Sequence, residues 1–323
     1  MNYNLANLGI KPADTALQPG MVALANEGAF QDTFLSKPLT TYAVGYQSED
    51  AKLEKLLNFL APPVRVSRRF EYRVADDKAA FAAAEADIDI RSLMGEFALV
   101  TAQGTIATGR TLSKGLSTVI DKDDLAENPN LKKEKVAMLK RMLIRAEIIR
   151  AFTLLNAAAS NTAVNWSSGK DADSDVLAMI AAGGDARGLD PNHVLYDNTA
   201  WQKRVGALGA SESPAGYAGY SRTPQMLADW LGIDEVAINR LRYQSGSGKT
   251  ALTTANIVLA FNADREAGAE DPSNIKRFWS PEQGGEWAVW EQDKASHLTM
   301  LTVSHKSNIV LTSSTGIRKL TVS

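Results

Sequence analysis

Residues 131–159, LKKEKVAMLKRMLIRAEIIRAFTLLNAAA, decide how the rest of the chain is read. The stretch lacks Gly and Pro and is built mainly from Leu, Met, Ala, Lys, Arg and Glu, the strong helix formers. Val136, Leu139, Leu143, Ala146, Ile149 and Phe152 recur at steps of three and four, which places them on one apolar stripe and makes them the expected core face of a helix. Lys133, Lys140, Arg141, Glu147 and Arg150 fall largely elsewhere on the cylinder. At ~1.5 Å per residue the helix is about 40 Å long, a beam across which other elements can lie.

Toward the amino terminus the beam is preceded by an acidic turn over 121–130, with Asn128 or Asn130 as its N-cap. Before that lies a long excursion. Val64, Val66, Phe70, Tyr72 and Val74 alternate with polar residues, the period of a strand with one apolar face, and the polar face carries Arg65, Arg68, Arg69 and Arg73. Residues 76–96 turn acidic, with Asp76, Asp77, Glu85, Asp87, Asp89 and Glu96, and contain a short helical run, AAFAAAEAD. A second extended stretch follows over 97–120. Such a two-stranded ribbon is marginal alone and needs a surface to lie against. Residues 1 to about 50, dotted with Gly and Pro, read as an extended arm with a short helix over 50–60; with little to bury within itself, the arm is expected to gain order on a neighbouring subunit.

Toward the carboxyl terminus, a polar stretch over 160–175 marks a boundary. Alternating elements follow: a helix through SDVLAMIAAGG, a strand HVLYD, a helix from Asn198 to about Leu208, a Gly/Ser/Tyr loop over 209–222, a helix TPQMLADWLG, and strands EVAI and NIVLAFN. Elements of this size make a compact α/β or α+β domain. The last 39 residues are strand-rich, with EWAVWEQ, HLTMLTVSH, NIVLTSS and IRKLTV as separate strands.

Composition narrows the function. In 323 residues, 35 basic side chains against 37 acidic ones give a net charge of −2, which does not demand nucleic acid or an anionic membrane as partner. With no cysteine, disulfides, Cys-ligated zinc and a Cys nucleophile are excluded. The first residues lack the pattern of a signal peptide, and no apolar run approaches the ~20 residues of a membrane span. The string SGSGKT at 245–250 resembles a phosphate-binding loop, but Tyr243 stands where that motif needs its first Gly and no clear helix follows, so a flexible surface loop is the better reading. His193, His297 and His305 have no partner at metal-ligand spacing, and no serine-hydrolase motif is present. No cofactor, metal or catalytic residue is expected. The arginines at 65, 68, 69 and 73 fit acidic patches on a neighbouring copy better than phosphate, because the chain as a whole is not basic and residues 76–96 offer the opposite sign.

The order of parts resembles the major capsid proteins of tailed bacteriophages, the Hong Kong ninety-seven type capsid fold, over essentially the whole chain. KGLSTVIDKDDLAENPN at 114–130 looks like the strand and turn before the spine helix of that family, and KRMLIRAEIIRAFTLLN at 140–156 like the spine helix itself. LDPNHVLYDNTAWQKRV at 189–205 and TPQMLADWLGIDEVAI at 223–238 look like strand–helix and helix–strand pairs of its axial domain. The resemblance implies an α+β chain with an N-terminal arm over 1–60, an extended β-hairpin loop over 61–120, a peripheral domain over 121–174 with its spine helix, an axial α/β domain over 175–284, and C-terminal strands over 285–323 returning to both. It implies a non-enzymatic head protein that assembles as pentamers and hexamers into an icosahedral shell around double-stranded DNA. The DNA is contacted non-specifically, with a separate scaffold, portal or decoration protein as possible partner. Assembly is expected in the bacterial cytoplasm, with no membrane involved. Candidate intersubunit contacts are Arg65, Arg68, Arg69, Arg73, Asp76, Asp77, Asp87, Asp89 and Lys114; Lys78 and Lys114 also occupy the region from which some members form a Lys–Asn cross-link, without a matching Asn here. The competing readings are an encapsulin-like compartment shell and, from another class, a soluble α/β enzyme with a nucleotide site near Ser245–Thr250.

Overall fold

A computed structural model describes residues 33–45, 50–74, 105–167, 169–210, 219–245, 248–251, 253–264, 271–282 and 285–323. In chain order the elements are β1 (Thr33–Leu35), α1 (Lys37–Gly45), α2 (Asp50–Leu60), β2 (Pro63–Arg65), β3 (Arg69–Arg73), β4 (Ile106–Arg110), β5 (Leu112–Asp121), α3 (Lys122–Glu127) and α4 (Leu131–Ala158). They continue with β6 (Ser160–Val164), α5 (Ala172–Arg187), β7 (His193–Asp197), α6 (Asn198–Gly209), α7 (Pro224–Leu231), β8 (Glu235–Asn239), β9 (Arg242–Ser245), β10 (Gly248–Ala251), β11 (Ile257–Phe261), β12 (Ile275–Ser280), β13 (Trp287–Ala295), β14 (Leu298–Leu311) and β15 (Arg318–Val322). The fold is mixed α and β, as the sequence suggests.

The elements form two units, each assembled from three stretches of chain. The first takes in Met1–Tyr46, Gly115–Lys140 and Trp287–Ser304. Here β1 pairs antiparallel with β13, Leu35 opposite Trp290, and β14 hydrogen-bonds to β13 and β5. Helix α1 is tied to β13 where Thr40 Oγ1 accepts from the Val289 amide at 3.1 Å. The first turns of α4 bury Val136, Ala137 and Leu139 in a unit that also buries Leu39, Ala43, Val289, Leu301 and Val303. Lys140 is buried too; its ammonium donates to the Ala43 carbonyl at 2.6 Å and lies 5.8 Å from the Trp287 ring centre.

The second unit takes in Gln47–Lys114, Arg141–Glu286 and His305–Ser323. Its main sheet has the order β6-β15-β11-β7-β8. β7 and β8 are parallel, and helices α6 and α7 supply the crossover that parallel pairing requires. β11 runs antiparallel to β7 and β15, and β15 parallel to β6. The apolar runs of β7 and β11 are buried at every position, as in strands covered on both faces. Helix α7 shows how local sequence fixes an element: the Thr223 hydroxyl accepts from the Met226 amide, Pro224 occupies the first turn, and Gly232 ends the helix at φ +70°, where a Cβ would be strained. Elsewhere in this unit β12 lies between residues 306–311 of β14, antiparallel, and β2, parallel.

Several expectations change. The predicted core stripe of the long helix holds at Val136, Leu139, Leu143 and Phe152, but Ile149 is 39% exposed, while Lys140 and Glu147, expected outside, are buried. The buried face is recentred because both charges have fixed partners, and a hydrophobicity pattern cannot register a partner. The region 121–130 contains the short helix α3 rather than only a turn. The polar boundary after the long helix is strand β6, whose exposed edge position removes any apolar signal. The expected strand over 64–74 is broken between β2 and β3, and HLTMLTVSH and NIVLTSS are one strand, β14. Of SGSGKT, Ser245 and Gly248–Thr250 lie on the antiparallel strands β9 and β10, with Gly248 opposite Ser245, while residues 246–247 lie outside the described ones.

Candidate assembly surface

Of the predicted excursion over 61–120, β3 and β4 form a two-stranded ribbon, whereas β2 and β5, inside the same bounds, pair with β12 and β14. The ribbon's register sets Arg69 opposite Arg110, Phe70 opposite Gly109, Glu71 opposite Thr108, Tyr72 opposite Ala107 and Arg73 opposite Ile106. Period two separates the faces. Phe70 is buried against Phe278 of β12, ring centres 4.4 Å apart, in a cluster with Val64 that Tyr72, Val66 and Val310 flank. Gly109 lets this happen: a Cβ there would stand 2.6 Å from the Phe70 ring. The base of the ribbon is pinned where the Thr111 hydroxyl meets that of Ser280 at 2.8 Å and the Asn308 amide donates to the Arg110 carbonyl at 3.0 Å.

The other face is exposed and charged. Arg65, Arg68, Arg69, Arg73 and Arg110 all face solvent, with Glu71 as the one carboxylate among them. Arg65 lies over the Trp279 ring at 5.8 Å. Val66, Ser67, Arg69, Phe70, Glu71, Thr108, Gly109 and Arg110 line a cleft. Arg69 and Arg110 bring positive charge to it, Glu71 negative charge, and Val66 and Phe70 apolar surface. Ile106, 59% exposed, and Val74, 36% exposed, add apolar surface at the open end of the ribbon. Asp76, Asp77, Lys78, Asp87 and Asp89 lie outside the described residues.

Lys114, the other candidate contact, is engaged within its own chain. Its ammonium reaches Glu147 Oε1 at 2.8 Å and the Ser307 hydroxyl at 3.1 Å. Ser307 also donates to Glu147 Oε2 at 3.2 Å, His305 Nε2 lies 3.6 Å from Oε1, and Arg150 completes the set. Burial would push the Glu147 carboxyl up, but the His305 hydrogen bond and the charge and hydrogen bond of Lys114 more than offset it, holding it at about 2. Burial also pushes the Lys114 ammonium down from its ordinary value, with Glu147 pulling it back.

A second buried ion cluster sits in the same unit. Arg204, fully buried, grips Asp173 with two hydrogen bonds of 2.6 and 2.8 Å, and Arg222 adds a third at 2.8 Å. Arg222 also lies 4.1 Å from the ring centre of Trp230, which is 44% exposed. Sequence reading passed over Asp173 and Arg204 and placed Glu147 off the core face; the signal available was a charge set within an otherwise apolar helical face. His193 is packed between Phe59 and Phe261, and His297 is exposed. Among the described residues no group of three or more His, Cys, Asp or Glu could hold a metal ion, and no helix is long and apolar enough to cross a membrane. Lys249 and Thr250 lie on a hairpin strand, not at the start of a helix where a phosphate-binding loop would place them.

The path of the chain matches solved structures over most of its length. A phage-related protein from Bordetella bronchiseptica RB50 gives a TM-score of 0.63, covering 88% of this chain and 96% of its own at 15% identity. The fold is that of the phage capsid proteins. The capsid of the cyanophage P-SCSP1u shares the capsid fold at a TM-score of 0.52, covering 82% of this chain and 86% of its own at 10% identity. A structure from Gordonia phage Cozz gives 0.50, covering 83% and 86% at 10% identity. No protein-family model matches the sequence, and no curated protein does. At these identities the capsid fold is shared as a backbone path, while the side chains on its surfaces are this chain's own.

Proposed function

We propose that this chain is a shell subunit, the major capsid protein of a phage-type head, which self-assembles through pentamers and hexamers into an icosahedral container for double-stranded DNA. The observation that carries the reading is the capsid fold, shared with the cyanophage capsid over 82% of the chain. The ribbon supports it: a two-stranded element with one buried and one exposed, arginine-rich face gains more from a neighbouring copy than from its own chain. On this reading the chain acts by assembly, without catalysis or cofactor. It contacts DNA through weak, sequence-independent interactions, forms in the host cytoplasm, and works with a separate scaffold, portal or decoration protein.

Size-exclusion chromatography and negative-stain microscopy of the purified protein test this. Closed particles or capsomer rings are the expected result. A monomer that stays monomeric at high concentration, with or without a scaffold, overturns it.

A further inference from the structure

We propose that the arginine cleft of the β3–β4 ribbon is the receptor for the acidic stretch 76–96 of a second copy of the chain; this rests on the shell reading and names the contact through which copies are joined. The argument begins with a cost. Arg69 and Arg110 stand directly opposite on the exposed face of the ribbon, and like charges so placed repel. Arg68 precedes β3 at the same end, Arg65 lies on β2 and Arg73 at the far end of β3, so this surface carries five arginines and the single Glu71, a net of +4 in a chain whose total is −2. Among the described residues no carboxylate forms an ion pair with Arg68, Arg69 or Arg110. A concentration of positive charge with its own cleft calls for an anion.

The chain itself carries one of matching size. Residues 76–96 hold six carboxylates against Lys78 and Arg91, a net of −4. Complementary charge of this kind fixes the register of partners and suppresses wrong ones. The features beside the arginines favour protein over nucleic acid. Glu71 lies within the cleft, where it would repel a polyphosphate but can pair with Lys78 or Arg91 of an incoming stretch. Val66 and Phe70 line the same cleft, which gives the mixture of apolar and Arg surface found in protein interfaces. The shell reading favours a second copy over the same chain. Residues 75–104 leave the ribbon at Val74 and return at Thr105, which are hydrogen-bonded to each other at 3.0 Å. The Arg69–Arg110 pair is at the opposite end, five residue steps or ~17 Å away.

Charge reversal separates the possibilities. One variant carries Arg68→Glu, Arg69→Glu and Arg110→Glu; a second carries Asp76→Lys, Asp77→Lys, Asp87→Lys and Asp89→Lys; a third carries both sets. Assembly is read by sedimentation and negative-stain microscopy, and thermal melts establish that each variant is folded. Each single-set variant is expected to lose particles by at least about tenfold, because like charges then meet. The third variant should recover them. Coexpression of the first two should also recover association, read as mixed oligomers or six-membered rings, since each copy then offers what the other lacks, although a five-membered ring cannot alternate the two. Recovery in the third variant without recovery on coexpression would show pairing within one chain and overturn the proposal. Loss confined to the arginine variant, accompanied by lost retention of DNA, would assign the cleft to nucleic acid instead. Normal assembly of every variant overturns it as well, whereas failure of the parent protein to assemble at all counts against the shell reading itself.

Discussion

Glu147 is the residue on which the centre of the second unit turns. It is a carboxylate on an otherwise apolar helix face, 1% exposed and held at about 2 by its partners, against 4.5 for the free group. A carboxyl whose folded value lies below its unfolded one stabilises the fold above the unfolded value and loses that contribution as pH falls through the folded one. The protein is therefore expected to keep this contribution above pH 4.5 and to lose on the order of 3 kcal/mol as the pH drops toward 2. Urea unfolding from pH 7 to pH 2, compared with Glu147→Gln, checks this: the variant should be less stable by about 3 kcal/mol at neutral pH, because Lys114 stays buried without its counter-charge, and the two curves should converge in acid. Gly109 makes the opposite kind of demand, for space. Gly109→Ala places a methyl 2.6 Å from the Phe70 ring, and the forced shift should cost about 1–3 kcal/mol, read as a lowered melting temperature. Neither effect is legible in the sequence alone. A lone glutamate in a helix reads as surface, and a glycine in a Thr-rich stretch reads as a turn, until the strand opposite is known.

At the scale of elements the sequence was most readable where chemistry is local. Thr223, Pro224 and Gly232 mark α7 at both ends, and the continuous apolar runs of β7 and β11 mark buried strands. It was least readable where burial depends on remote partners. Strand β12 hides behind Lys276 and Arg277, which are buried because Asp271 and Glu286 neutralise them. Strand β6 has no apolar face to display. The long helix combines both cases, since its existence is local and its buried face is not. Ile144, wholly buried within it, offers a test: Ile144→Pro removes a backbone hydrogen bond and should cost ~3 kcal/mol or more, abolishing cooperative unfolding and particle formation together. Ile149→Gln, on the exposed side, should leave the isolated subunit's stability within about 0.5 kcal/mol. Any loss of assembly in that variant would then report a contact between copies rather than a damaged fold.

For the whole molecule, the sequence disclosed the capsid architecture through the order of its parts, while the chemistry of the assembly surface needed the register of β3 and β4. If copies join through arginine and carboxylate, raising ionic strength from about 0.1 M to about 1 M, which shortens the screening length from ~10 Å to ~3 Å, should weaken assembly. Light scattering at constant protein concentration checks this, and an apolar contact alone would respond in the other direction. A different consequence comes from the way each unit is knit from distant stretches. The last strand, β15, lies between β6 and β11, and β13 and the start of β14 supply strands of the first unit. Neither unit is complete while these late residues are still inside the ribosome. At ~5–20 residues per second, synthesis of the chain occupies roughly 15–65 seconds, during which the half-made subunit cannot yet present a finished surface to its neighbours. Contacts so far apart in sequence also slow folding after release. On the shell reading, translation would therefore act as a timer, keeping a nascent chain out of a growing shell until β13–β15 have emerged.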